Sequence, residues 1–369
     1  MEREILRTAV RQIREKRPFF PDGKICDVFY SHNLVEIGFL SQRCRRDLGG
    51  SCIMCDYGAA RGSYAIERYI KEMDRILNSL DDTIKILLLC TNGSFLDDRQ
   101  VAPSLFEAVL QRAGQSSIHT IEIETHYQDV TKAKLDNIKK LLPNKRIVIE
   151  MGLETANPQY QSMVIMKGIH LARYEDTIAL IQDYGFGVDV NIMIGMPFLS
   201  AKEQFEDAAA TIQWAFARRC EPVLFPMNIK PYTLLMDMYK AGFYQPISQW
   251  MLPLILDTMT EDQLEKTNIA WYGNREAVYD PAGERAVFPQ ACSSCTEAVR
   301  SFYQRFITVR SGHDRKAMLR QLLAPGACGC LQEARAKISE NSTISFEQRY
   351  TAYTSYLKAM IPEQKEGVL

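Results

Sequence analysis

No stretch of the 369-residue chain approaches the ~20 consecutive apolar residues that a bilayer-spanning helix needs. Met1-Glu2-Arg3-Glu4 opens a charged helix where a Lys/Arg-headed apolar leader would stand. No membrane partner is therefore expected, and the expected compartment is the cytoplasm. An excess of either charge is also missing: 44 Lys and Arg against 45 Asp and Glu leave a net charge of −1. No global cationic field draws such a chain to nucleic acid. Lys139-Lys140, Lys145-Arg146 and Arg218-Arg219 are isolated basic pairs, which suit solvated faces better than phosphate contacts. Internal repeats and low-complexity linkers are absent as well. What is present is the balance of an ordinary globular protein, 46% apolar and 24% charged, long enough for a substantial core. Ten cysteines without a secretory signal read as metal ligands plus buried thiols, not as a disulfide framework.

The hydrophobic period gives the fold class. Ile5, Ala9, Val10 and Ile13 mark an amphipathic helix, followed by a Pro18/Pro21 break and a short strand over 26–30. From Asn33 the chain alternates. Strands are expected over 34–40, 84–90, 118–124, 146–152, 188–194 and 223–227, with helices over 63–80, 103–112, 133–142, 174–184 and 201–218. Six successive β/α steps imply a parallel sheet with right-handed crossovers. They are too few for a closed eightfold barrel, so the expected α/β fold is an open (β/α)6 partial TIM barrel with its chemistry at the C-terminal strand ends. Beyond about Gln245 the alternation stops. A helix over 251–260, a strand over 269–272, a helix opened by Cys292-Ser-Ser-Cys295, a Pro325-Gly326 turn and a Tyr-rich helix over 346–361 follow. The expected division is 1–32 as an N-terminal extension, 33–245 as the partial barrel and 246–369 as a C-terminal cysteine-rich extension.

Cys44, Cys52 and Cys55 fall in one loop, Gln42-Arg43-Cys44, seven residues, then Cys52-Ile53-Met54-Cys55, at the exit of the first barrel strand. Three thiolates fill three corners of a cubic [4Fe–4S] cluster and leave the fourth iron open to bind a cofactor. Gly49 and Gly50 allow the chain to curl around such a group. The plainer readings are a zinc site short of a ligand or three core cysteines. One glycine-bearing loop ahead of a parallel barrel weighs against both.

The loop resembles the cluster loop of radical S-adenosylmethionine (radical SAM) enzymes, although the commonest spacing there is Cys-x3-Cys-x2-Cys. The longer first gap is similar to that of the Elongator-like branch and of the radical SAM component of archaeosine synthase. The likeness extends to Tyr57-Gly58, Thr91-Asn92-Gly93-Ser94-Phe95-Leu96-Asp97, Gly152-Leu153-Glu154-Thr155, Met166-Lys167-Gly168 and four C-terminal cysteines. It implies that SAM chelates the open iron and that a reductant such as flavodoxin or ferredoxin supplies one electron. A 5′-deoxyadenosyl radical then takes a hydrogen atom from an organic substrate. The cofactor performs the hard step, and the protein orients it.

The resemblance also implies SAM contacts. Asn92, Gly93 and Ser94 would meet the methionyl amine, Met54 the adenine, and Glu154 a polar group of SAM; a plain strand-to-helix turn is the alternative at Asn92–Ser94. From the residues themselves, Glu122 and Glu124 share one strand face and suit ribose hydroxyls or a substrate ammonium. Asn191 is a polar residue in an otherwise apolar strand, suited to an approach by adenine. Arg43 and Arg45 either tune the cluster charge or are solvated. Cys292, Cys295, Cys328 and Cys330 offer four thiolates in two knuckles, for a structural Zn2+ or for an auxiliary [4Fe–4S] cluster. Cys26, Cys90 and Cys220 are expected in the core. The substrate implied by the resemblance is a lysine-modified deazaguanine held in tRNA. The alternative is an amino-acid-like small molecule of specialised metabolism, and a non-catalytic iron–sulfur or zinc protein that binds RNA or a partner is the reading from another class.

Overall fold

The computed structural model describes residues 2–16, 25–56, 64–270, 286–324 and 328–360. The Pro18/Pro21 break, Tyr57-Gly58, Tyr272 and the Pro325-Gly326 turn lie outside these residues. Eight strands form one sheet in sequence order: β1 (Cys26–Ser31), β2 (Leu34–Phe39), β3 (Ile86–Thr91), β4 (Thr120–Thr125), β5 (Arg146–Glu154), β6 (Gly187–Ile194), β7 (Glu221–Pro226) and β8 (Asn268–Ile269). β1 and β2 are an antiparallel hairpin turned at His32, where φ is +41°. β2 to β8 are parallel. The six strands β2 to β7 are the expected β/α steps, and the sheet stays open with β1 and β8 at its edges. β1 precedes residue 33 and β8 follows residue 245, so both flanking segments contribute a strand to the barrel sheet.

Strand alternation separates two environments. One face carries Val35 and Ile37 of β2, Leu87 and Leu89 of β3, Ile121 and Ile123 of β4, Ile147 and Ile149 of β5 and Val190 and Ile192 of β6. All lie in one apolar core with the outer helices, including Pro103–Gln115, Lys132–Leu141, Leu171–Asp183 and Ala201–Ala217. Each fully buried Ile or Leu there contributes about 2 kcal/mol of transfer free energy. The other, concave face carries Glu36, Glu122, Glu124, Glu150, Gly152, Asp189 and Asn191. This face is polar.

A second apolar core caps the C-terminal strand ends. It joins Leu6, Ala9 and Val10 of the helix Glu2–Glu15, Cys52, Ile53 and Met54 of the cysteine loop, and Phe346, Tyr350 and Tyr353 of the helix Phe346–Met360. The two ends of the chain thus meet over the loop that carries the triplet.

Candidate functional site

Cys44 is the N-cap of the one-turn helix Arg45–Leu48 that follows β2. The chain then tightens through Gly50, at φ +75°, where a Cβ would lie 2.5 Å from the Arg7 carbonyl oxygen. Cys52 is left-handed too, at φ +59°, with its N–H donating to the Ile165 carbonyl at 3.1 Å; Cys55 N–H donates back to the Cys52 carbonyl at 2.9 Å. Ser51 Oγ donates to the Met166 carbonyl at 2.8 Å, so the loop is tied to the segment after β5. Burial pushes the Cys52 thiol up to about 11, and burial together with the Cys52 charge pushes Cys55 up as well. Neighbouring buried thiols ionise together only beside positive charge, and iron supplies it. The donor set therefore fits a cluster held by Cys44, Cys52 and Cys55.

Arg14 clamps this loop from below. Its guanidinium donates to the carbonyls of Asp47, Ser51 (2.7 Å) and Cys52 (3.1 Å), and its Nε lies 2.6 Å from an Asp47 carboxylate oxygen. Arg45 is neither bare nor poised over the thiols: it pairs with Asp97 at 2.7 Å and lies 3.6 Å from Asp129.

At the end of β5 the register slips between Gly152 and Glu154, and Glu154 takes φ +70°. Gln161 Nε2 donates to the carbonyls of Leu153 and Thr155 on either side of this bulge. The bulge swings the Glu154 carboxylate over Gly152, where it forms an ion pair with Lys167. A Cβ on Gly152 would lie 2.7 Å from Glu154 Oε1 and 3.2 Å from Lys167 Nζ, so glycine leaves the room this pair occupies. Burial opposes the Lys167 charge, but Glu154 and Cys52 beside it hold the ammonium above its usual range.

The β3 end is already engaged. Gly93 N–H donates to the Thr91 carbonyl at 2.7 Å, and Ser94 N–H donates to Gln100 Oε1 at 2.6 Å. Ser94 Oγ lies 2.7 Å from Thr125 Oγ1 and accepts from His126 N–H at 3.1 Å. The donors of Gly93 and Ser94 thus hold β3 to β4, so a methionyl amine, itself a donor, would look to carbonyl oxygens there. Asn92 is buried, and Met54 is buried in the second core. Glu124 and Asn191 lie deeper on the concave face: Glu124 is the register partner of Glu150, and Asn191 that of Gly152.

Among the described residues, Cys292, Cys295, Cys328 and Cys330 are the group whose ligand atoms all fall within 4.8 Å of one another. Cys292 and Cys328 are N-caps of the helices Ser293–Thr308 and Gly329–Ser339, so two helix N-termini face the sulfurs. Cys292 Sγ is 3.4 Å from Cys328 Sγ and 3.5 Å from Cys330 Sγ, and Trp250 Nε1–H donates to Cys330 Sγ at 3.1 Å. Cys26, Cys90 and Cys220 are buried, as the sequence suggests.

Residues 39–212 match the model of the Radical SAM superfamily, a span that takes in the cysteine loop, the β3 end and the β5 bulge. These residues are a radical SAM domain. Archaeosine synthase subunit beta of Methanosarcina acetivorans is 26% identical over 222 residues, which are 59% of this chain and 64% of the relative. The protein of the same name from Thermococcus kodakarensis is 26% identical over 217 residues, 56% of this chain and 65% of the relative. The chain thus spans less than two thirds of the length of these relatives. An Elp3 structure from Methanocaldococcus infernus, with an N-terminal deletion, superposes over 65% of this chain and 58% of its own at a TM-score of 0.43 and 15% identity.

The radical SAM domain holds polar residues that the sequence reading passed over. His126 Nδ1 faces the Arg46 guanidinium at 2.6 Å and accepts from Gln128 N–H at 3.3 Å, which leaves the proton on Nε2. Burial, then the Arg46 charge, keeps this imidazole neutral by lowering its pKa well below the ordinary value. His126 Nε2 is buried without a hydrogen-bond partner and is a donor. The signal was available: Glu122, Glu124 and His126 continue one period-two face.

Proposed function

We propose that the chain is a radical SAM enzyme that works by hydrogen-atom abstraction. The carrying observation is the cysteine loop, a three-thiol donor set tied by backbone and Arg14 bonds to the mouth of an open parallel sheet. With cluster and SAM bound, transfer of one electron to the sulfonium breaks the C5′–S bond, giving methionine and a 5′-deoxyadenosyl radical that takes a substrate hydrogen. Cys44, Cys52 and Cys55 hold the cluster. Glu154 and Lys167 orient the polar end of SAM, carbonyls of the Asn92–Ser94 turn receive its amine, and Met54 packs beside its adenine. The apolar core made by the two chain ends excludes water from the cluster side. The electron comes from outside, from a flavodoxin- or ferredoxin-like reductant.

In the C-terminal quartet we propose one Zn2+. A thiolate tetrahedron with Zn–S of about 2.3 Å places its sulfurs about 3.8 Å apart, close to the 3.4 and 3.5 Å separations here. A cubane instead spreads its thiolates over four different irons.

The relatives support a modified base in tRNA as the substrate. The carboxylate-lined concave face, on a chain of net charge −1, favours an amino-acid-like small molecule as a second reading. Anaerobic reconstitution with SAM and dithionite, followed by mass spectrometry for 5′-deoxyadenosine, tests the chemistry. Formation by the wild type and loss in Cys55→Ser are expected; an intact cluster that yields no nucleoside sinks the enzyme reading. Filter binding to tRNA over a salt series separates the substrates, since phosphate contacts weaken steeply with salt.

A further inference from the structure

Side chains of register partners in a parallel sheet project to the same face. Glu124 is opposite Glu150, Glu150 is opposite Asp189, and Asp189 is opposite Glu221, so four acids cross four neighbouring strands in one row. Glu150 and Asp189 are 6% and 5% exposed. Like charges in such a row repel unless protons or cations intervene. Part of the row is answered by the protein: Arg146 and Arg310 act on Asp189 and Glu122. The groups acting on Glu150 are instead Glu124, Glu122, Asp189 and the Asn191 amide.

Asn191 is the independent observation. It lies two residues along β6 from Asp189, on the same face, 6% exposed, with its side chain hydrogen-bonded to Glu150. Its Oδ1 is buried and has no hydrogen-bond partner. An unpaired buried carbonyl oxygen costs about 1–3 kcal/mol, and it points to a missing donor. The donor that satisfies two carboxylates and an amide oxygen together is one with several N–H groups and a positive charge.

We infer that Glu150, with Glu124 and Asn191, binds a primary ammonium group of the substrate on the concave face of the sheet. An alkylammonium has three N–H donors for these three acceptors. A metal ion is the poorer occupant, because among the described residues only the cysteine quartet gathers its ligand atoms within 4.8 Å. Glu150 lies four residues before Glu154 on β5, about 13 Å at 3.3 Å per residue. The ammonium therefore anchors one end of the substrate while its carbon skeleton rises toward the strand ends. The assignment rests on the radical SAM reading for its depth below SAM, and it gives that substrate a class: amine-bearing. It also moves Glu124 and Asn191 from SAM to the substrate.

The test uses the reconstituted full chain and calorimetric titration with n-pentylamine, against n-pentanol and MgCl2 as controls. Amine binding without pentanol or Mg2+ binding is expected. It should come with proton release, read as heat that depends on the buffer, because the cation favours the Glu150 carboxylate over its acid. Glu150→Gln should weaken the amine at least tenfold, and Asn191→Ala, which leaves every carboxylate in place, about fivefold. Equal binding of amine and alcohol, binding of Mg2+ in place of the amine, no binding at all, or amine affinity unchanged in both variants overturns the site. Amine binding of the expected kind by a chain that forms no 5′-deoxyadenosine would leave the site standing and remove the catalytic reading instead.

Discussion

Arg14 and Asp47 form an ion pair 33 residues apart in sequence, 2.6 Å between Nε and a carboxylate oxygen, at 6% and 1% exposure. The pair joins the N-terminal helix to the loop that carries the three cysteines, and Arg14 also holds three carbonyls of that loop. Removing one partner of a buried pair leaves the other charge stranded, which costs about 3–5 kcal/mol. Arg14→Met should therefore lower stability in urea by that amount and reduce the iron bound on reconstitution. The double change Arg14→Met with Asp47→Leu should recover most of the stability. If the single variant matches wild type in both measurements, the clamp is not holding the loop.

Gly152→Ala separates the site from the fold. The backbone tolerates alanine, and the first atom its Cβ meets is the mobile end of Glu154. Stability should change by less than about 1 kcal/mol. The Glu154–Lys167 pair should move, and SAM affinity should fall about tenfold or more. Equilibrium dialysis with labelled SAM checks this; unaltered affinity would remove Glu154 from the SAM site.

Metal content decides the quartet. A chain with Cys44, Cys52 and Cys55 all changed to Ala should retain about one zinc and no inorganic sulfide. Adding Cys292→Ser and Cys328→Ser should remove the zinc and loosen the helices those residues cap. Iron and sulfide persisting in the first chain would mean a second cluster.

The concave face predicts a pH dependence. Burial pushes Glu122 up to about 7, and Glu150 and Asp189 well above the ordinary carboxyl range. A raised folded pKa means that the native state binds the proton more tightly than the unfolded chain. The stabilisation is complete below the unfolded value of about 4.3 and is lost as pH rises through about 7. Urea titrations from pH 5 to 8 should show Glu122→Gln with a flatter decline than wild type. The difference is at most about 1.4 kcal/mol per pH unit for one proton, and less to the extent that water reaches Glu122. Parallel curves would contradict the burial argument.

Much of this protein is legible in one dimension because the relevant physics is local. Alternating apolar strands and 3.6-residue stripes are set by which residues neighbour each other along the chain, so the six β/α steps could be read off. The three cysteines of one loop could be read for the same reason. Arg14 gave a faint signal, since it continues the buried stripe of Leu6 and Val10, but only the packed helix shows what it holds. His126 and Lys167 gave less, because a lone basic residue has no meaning until its partner is beside it.

The chain by itself therefore determined the sheet, its order of strands and the donor atoms for two metal centres. Tertiary structure decided which groups share a space: Glu154 with Lys167 over a glycine, Trp250 with Cys330, and Glu150 with Asn191 across two strands. Those meetings depend on strand register, a bulge at residues 152–154 and the joining of the two chain ends. Such long-range geometry leaves no periodic trace in the sequence, because contact energy depends on distance in space and not on separation along the chain.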